Sequence, residues 1–287
     1  RTSYYNETWG FCLRDETYRK LDPDSTYEVC IESSLNPAGS MTYADALTRG
    51  KSNKQYILST YCCHPSLAND NLSGLILAAL LFKELQELDT YHSYRLIIVP
   101  ETIGAIAYLH EHETAMKEVD GGYVLTTVAG PDGLGYKASF VGTHEVDLAA
   151  RLALDGDHIE YPFVPDGSDE RQYSTPGFRI PTGTITKSKY YEYEEYHTSK
   201  DNLDFVSAEN LLETLKAYRR AILNLEMNRT FERTEPHCEF RLGKYGLYPQ
   251  IGGFQQQQKA SPEHSTYEEA GFQAAEDCAG EEARIEA

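Results

Sequence analysis

Four short stretches carry side chains whose types and spacing could do chemistry, and they fall around apolar runs. The first is His64-Pro-Ser-Leu-Ala-Asn-Asp70-Asn71-Leu-Ser73-Gly74, which follows Tyr56-Ile-Leu-Ser-Thr-Tyr-Cys-Cys63. A neutral imidazole and a carboxylate are good zinc ligands. The competing reading is a buried histidine hydrogen-bonded to an N-capping aspartate. The second is Glu101, directly after Leu96-Ile-Ile-Val-Pro100. A carboxylate at the end of a buried strand can have a raised pKa and serve as general base. It can equally be a first-turn glutamate that favours a helix N-terminus.

The third stretch is Gly167-Ser168-Asp169-Glu170-Arg171-Gln172-Tyr173. It reads either as a solvated turn or as a carboxylate pair oriented by Arg171. The fourth is Tyr196-His197-Thr198-Ser199-Lys200-Asp201-Asn202, with His197 set between the tyrosine-rich run 190–196 and the last long apolar pattern. Each stretch alone is ambiguous. The ordered set is less so, because each member falls at a strand–helix junction on what should be one edge of a sheet. In open α/β sheets ligands bind at the carboxyl ends of the strands. His144 is a weaker candidate for substrate contact, and His110 and His112 are assigned to an exposed helix face. Phosphate-cradling glycine loops and the GxSxG nucleophile elbow have no counterpart here.

Stepping outward, alternating patterns must position these groups. Strands are expected at 55–62, 94–99, 122–128, 136–141 and 180–185, and helices at 72–88, 103–118, 144–154 and 207–227. The helix from 72 is apolar over a broad face, from Leu72 to Leu85, and is expected to be well buried. Ser207 is the expected N-cap of the last helix. Such alternation implies an α/β layered domain with a largely parallel sheet. Residues 1–50 read as a small β-rich segment with a strand at Tyr27–Glu32. Residues 51–230 form the α/β domain. Residues 231–287 turn glycine- and tyrosine-rich, then glutamine-rich and acidic, as in a disordered tail.

The 287 residues suffice for a full core, and the net charge of -19 argues against a partner held through nucleic-acid phosphates. No apolar run approaches the length of a membrane span. The six cysteines form neither a CxxC pair nor a disulfide framework, so reduced thiols and a cytoplasmic setting are expected.

The ordered set resembles the zinc aminopeptidase clan of the M28 type: a histidine, then Asp-Asn/Asp-x-Ser-Gly, a glutamate after a strand, Ser-Asp, and His-Thr. More closely, Trp9-Gly-Phe-Cys-Leu13, Cys63 to Gly74, Pro100-Glu-Thr-Ile-Gly104, Gly167 to Tyr173 and Gly243-Lys-Tyr-Gly-Leu-Tyr-Pro249 resemble the bacterial aminopeptidase-like family DUF4910 with DUF2172. The resemblance implies a phosphorylase/hydrolase-like three-layer sandwich with a mostly parallel central sheet and a small β-rich insertion. It also implies that 231–287 holds the place of a truncated winged-helix region. It assigns His64, Asp70 and His197 to zinc and Glu101 to the general base. Asp169, Glu170 and Arg171 become a further ligand or substrate contacts. Thr102 stands where the clan has a second, zinc-binding glutamate, and Thr126-Thr127 where it has an aspartate, so one ion is expected. The function implied is hydrolysis of a small peptide or related amide. The alternative is a non-catalytic binding or regulatory protein on the same fold.

Overall fold

The computed structural model describes residues 6–229 except 33 and 35, together with 237, 238 and 245. The tail expected beyond 230 and the Gly243–Pro249 stretch therefore lie almost wholly outside the described residues. Seven strands form one sheet: β1 (Ala44–Thr48), β2 (Gln55–Tyr61), β3 (Ser93–Val99), β4 (Gly121–Val124), β5 (Leu134–Lys137), β6 (Ile159–Tyr161) and β7 (Thr182–Lys187), in the order β1-β3-β2-β4-β7-β5-β6. The central pairs β3–β2, β2–β4 and β4–β7 are parallel, whereas β1 joins β3 and β5 joins β7 antiparallel.

The helices are α1 (Asp15–Tyr18), α2 (Gly74–Glu87), α3 (Ile103–Glu111), α4 (Glu113–Met116), α5 (Glu145–Leu154), α6 (Glu170–Tyr173) and α7 (Ala208–Met227). Side chains alternate across a strand, so β2 sends neighbours into different cores. Tyr56 and Leu58 join Leu77, Leu81, Val146, Ala150, Tyr218 and Ile222 from α2, α5 and α7. Ile57 joins Ile97, Val124, Ala105, Tyr108 and Met116 on the opposite face. Helix layers thus cover both faces of the sheet, and β2 is buried along most of its length.

Local chemistry moved several boundaries. Tyr27–Glu32 forms no strand and is exposed throughout; the alternation is present, but no neighbouring strand supplies hydrogen bonds. The helix expected at 103–118 breaks at His112 (φ -110°, ψ 25°) into α3 and α4. The chain after Val124 leaves the sheet, with Leu125 N–H still donating to Ser59 O (2.7 Å). The α2 helix buries Leu77, Leu81 and Leu85, but Leu72, Ile76 and Leu80 lie on an exposed stripe, 42–45% accessible. Its apolar face is wider than the surface that covers it. Ser207 caps α7 as expected, accepting from Asn210 N–H at 3.1 Å.

Candidate metal centre

Register brings the first two candidates together. Tyr61 pairs with Val99 across β2 and β3, and Cys62 N–H extends the ladder to Val99 O at 3.0 Å. His64 and Glu101 thus leave adjacent strand ends, with His64 Nε2 3.7 Å from Glu101 Oε2.

After His64 the chain enters a π-helical turn, Ala68–Ser73, in which Asp70 and Asn71 have non-helical backbone angles. The helix expected from 72 therefore starts as a distorted turn, and side-chain bonds explain how it is held. Asn71 Nδ2 donates to Thr60 Oγ1 (3.0 Å) and Leu125 O (3.2 Å), and its Oδ1 accepts from Gly74 N–H (3.2 Å). Ser73 Oγ donates to Asn69 O (2.8 Å) and accepts from Val128 N–H (3.2 Å). A Cβ at position 74 would stand 2.3 Å from Leu125 O, so glycine is required by close backbone approach. The Asp-Asn-x-Ser-Gly pattern is one carboxylate followed by the stitching that fixes it.

Asp70 is buried, and its two oxygens have different tasks. Oδ1 accepts from the Tyr61 hydroxyl at 2.6 Å, and that hydroxyl also lies 2.6 Å from Thr126 Oγ1. Oδ2 faces His197 Nε2 at 3.0 Å and His64 Nε2 at 4.0 Å. One donor atom from each of His64, Asp70 and His197 lies within 4.8 Å of the others. Two imidazole nitrogens and one carboxylate oxygen are a donor set that suits zinc with an open position. Both imidazoles are already close to it: His64 and His197 stack with centroids 5.0 Å apart, and Tyr196 stacks on His197 at 3.9 Å. The Asp70 carboxylate holds His197 above the usual imidazole range, against the opposing effect of burial.

Two residues to which the sequence assigns no role complete this arrangement. Asp201 is fully buried and accepts from Asn69 N–H (2.6 Å), Asp70 N–H (3.1 Å) and the Tyr193 hydroxyl (3.0 Å). It ties the loop carrying His197 to the turn carrying Asp70. Tyr61 occupies the second oxygen of Asp70, and burial beside Asp70 and Glu101 keeps its hydroxyl protonated as a donor. Asp201 follows His197 by four residues and Tyr61 precedes His64 by three, which is the only trace either leaves in the chain.

Glu101 is oriented by Ser168, whose hydroxyl donates to Oε1 at 2.7 Å, leaving Oε2 toward His64. Burial pushes its carboxyl above the usual range, while the Ser168 hydroxyl and the imidazoles pull the other way. The remaining candidates are placed differently. Asp169 is buried, and its Oδ1 accepts from Thr102 N–H at 2.7 Å. Burial beside Glu101 and Glu170 raises its pKa to about 8. Glu170 forms a buried ion pair with Lys137 (3.0 Å) and accepts from Ser168 N–H. Arg171 donates to Pro165 O. None of the three joins the donor cluster, and they act as the frame beneath Ser168. Thr126 and Thr127 are buried, with Thr127 Oγ1 2.6 Å from Thr186 Oγ1. His144 sits near Gly121, at the opposite, amino-terminal edge of the sheet.

A cavity of about 590 Å³ adjoins His64, with Tyr61, Cys62, Leu67, Leu72, Leu75 and Leu203 among its lining. Its walls are largely apolar.

The profile described as "Domain of unknown function (DUF4910)" matches residues 25–228, and that of DUF2172 matches residues 1–34. The chain belongs to the DUF4910 family. A Clostridium acetobutylicum protein named "Putative polysaccharide biosynthesis protein with aminopeptidase-like domain" is 42% identical over 255 residues, covering 88% of this chain and 58% of that protein. The crystal structure of a "putative peptidase" from the same organism superposes with a TM-score of 0.75 at 40% identity, over 84% of this chain and 57% of the other. The chain thus spans a little over half the length of these relatives. A zinc aminopeptidase from Bacillus subtilis shares the fold at 18% identity and a TM-score of 0.55, over 66% of this chain and 51% of that one. These likenesses place this DUF4910 member on the α/β fold of the aminopeptidases.

Proposed function

We propose that this protein is a metal-dependent amidohydrolase of aminopeptidase type, acting on a small peptide or related amide through one zinc ion held by His64, Asp70 and His197. The observation that carries this is the convergence of three donor atoms within 4.8 Å beside a carboxylate held by a serine hydroxyl. The single-ion reading rests on Asp70. Its Oδ1 accepts from the Tyr61 hydroxyl, and Thr102 and Thr126-Thr127 offer no carboxylate where a second ion would need one.

The chemistry such an ion supplies is Lewis acidity, polarising the scissile carbonyl and making water acidic near neutral pH. The chain's own residues do the rest. Ser168 fixes Glu101 so that Oε2 faces the space beside His64. Glu101 takes the proton of the attacking water and delivers it to the leaving amine. Its raised pKa brings the carboxylate closer to the basicity of that exchange. Tyr61 and Asp201 hold Asp70 so that no reorganisation is needed when substrate arrives. The apolar cavity receives an apolar portion of the substrate while excluding water from the carbonyl.

The test is Glu101→Gln in the full chain. Zinc content measured by metal analysis should be unchanged, while hydrolysis of aminoacyl amide substrates should fall about 10²–10⁴-fold. Full activity in that variant overturns the assignment of the base. A wild-type protein that retains no zinc after reconstitution favours the non-catalytic binding role.

A further inference from the structure

A second group of donors stands beside the first. Cys63 Sγ, a ring nitrogen of His64 and a carboxylate oxygen of Glu101 lie within 4.8 Å of one another. The thiol is not aimed there by chance contact alone. Cys63 Sγ accepts from Glu101 N–H at 3.2 Å and lies 3.3 Å from His64 Nδ1. Across the same imidazole, Nε2 is 3.7 Å from Glu101 Oε2. In a tetrahedral zinc site, bonds of about 2.0–2.3 Å place neighbouring donor atoms roughly 3.3–3.8 Å apart. The 3.3 Å between Cys63 Sγ and His64 Nδ1 falls in that range, and the three residues each offer one donor atom within 4.8 Å of the others. The group is reachable, since Cys63 is exposed and the side chains of His64 and Glu101 are 19% and 26% accessible.

We propose that Cys63, His64 and Glu101 form a second cation site, selective for thiophilic divalent ions such as cadmium, cobalt or excess zinc. The donor set is mixed sulfur, nitrogen and oxygen, and a thiolate ligand favours soft and borderline ions over magnesium or calcium. On binding, the sulfur–metal bond forms as the thiol proton leaves to solvent, and no oxidant or reductant takes part. His64 belongs to both donor sets, and Glu101 is the base of the first. Occupation of the second site therefore draws the imidazole from Asp70 and His197 and removes the free carboxylate oxygen. The ion inhibits from a position adjacent to the hydrolytic one. This inhibitory consequence rests on the function proposed above, whereas cation binding by the three residues does not.

The experiment is a cobalt(II) titration of the purified full chain, read as thiolate-to-cobalt charge-transfer absorption and as bound metal after equilibrium dialysis. Wild type should develop the absorption. Cys63→Ser should abolish it, and Cys62→Ser and His197→Ala should retain it. Absence of the absorption in wild type, or its persistence at full strength in Cys63→Ser, overturns the cation site. In parallel, Cys63→Ser should raise the cadmium concentration that halves hydrolysis by about tenfold or more. An unchanged value with the absorption present overturns the inhibitory role and leaves the cation site supported. If the zinc-loaded wild type hydrolyses no amide, the function proposed above fails, and the cobalt absorption alone still decides the second site.

Discussion

The two edges of the sheet hold similar side chains and use them in opposite ways. At the amino-terminal end of β2, Glu145 accepts from Lys54 Nζ through both oxygens (2.8 Å each), from the Tyr56 hydroxyl (2.6 Å) and from Asn228 (3.0 Å). Every lone-pair direction of that carboxylate is spoken for, and the pKa falls below the usual range despite burial. At the carboxyl end of the same strand, Asp70 has one oxygen tied to Tyr61 and the other aimed at two imidazoles. Both edges contain tyrosine, carboxylate and histidine. What separates them is saturation: a carboxylate whose partners are all internal stabilises the fold, and one with an oxygen left facing two imidazoles is available to a ligand.

The largest expected break of this comparison is Asp70→Asn. It should lower zinc affinity by more than about a hundredfold, measured by competition with a chelator. Next is Asp201→Ala, which leaves the buried N–H groups of Asn69 and Asp70 without an acceptor. Each unsatisfied group costs about 1–3 kcal/mol. Urea unfolding should show that loss, and zinc affinity should fall about 10–100-fold as the turn carrying Asp70 loses its anchor.

The buried Asp169 gives a pH signature. Its folded-state pKa of about 8 lies above its unbound value of 3.8, so the folded state holds the proton more tightly. Its contribution to stability is fully present below about 3.8 and is lost as pH rises through 8, with a slope of at most about 1.4 kcal/mol per pH unit. Asp169→Asn should flatten the stability curve across that window, as followed by urea midpoints at several pH values. The smallest effect is expected at the other edge. Glu145→Gln should cost about 1 kcal/mol of stability and leave zinc affinity and hydrolysis unchanged. A change in zinc affinity there would erase the distinction between the edges.

The chemistry-bearing residues were legible because they directly follow or precede buried strands. His64 and Glu101 emerge from runs whose apolar character marks them as central, and parallel pairing then sets them side by side. Asp70 and His197 were legible as members of an ordered set, though neither type nor spacing shows that their atoms meet. Tyr61 and Asp201 were not legible. A tyrosine at the end of an apolar strand is indistinguishable from core packing, and a loop aspartate from a turn residue. Their roles exist only through bonds to residues far away or on another element. Long-range pairing explains the errors as well. Tyr27–Glu32 alternates correctly, yet a strand is defined by a neighbour. The α2 helix is apolar on a face that its own layer does not fully cover. Asp169 and Glu170 look like a ligand pair in the chain, whereas folding commits them to Thr102 N–H and Lys137.

Asp201 has a consequence for how the site and the fold depend on each other. Its carboxylate joins positions 131 and 132 residues apart in the chain, through the backbone N–H groups of Asp70 and Asn69 and without any of the proposed ligand side chains. The entropy of bringing two distant segments together grows only slowly with their separation, but it must be overcome by something. In many small metal-binding domains the ion does this, and the chain without metal is unfolded. Here the polypeptide closes the loop by itself and presents the ligands ready-made. Folding then does not require the metal, which only adds to its stability: a chelator should empty the centre and leave the folded chain standing.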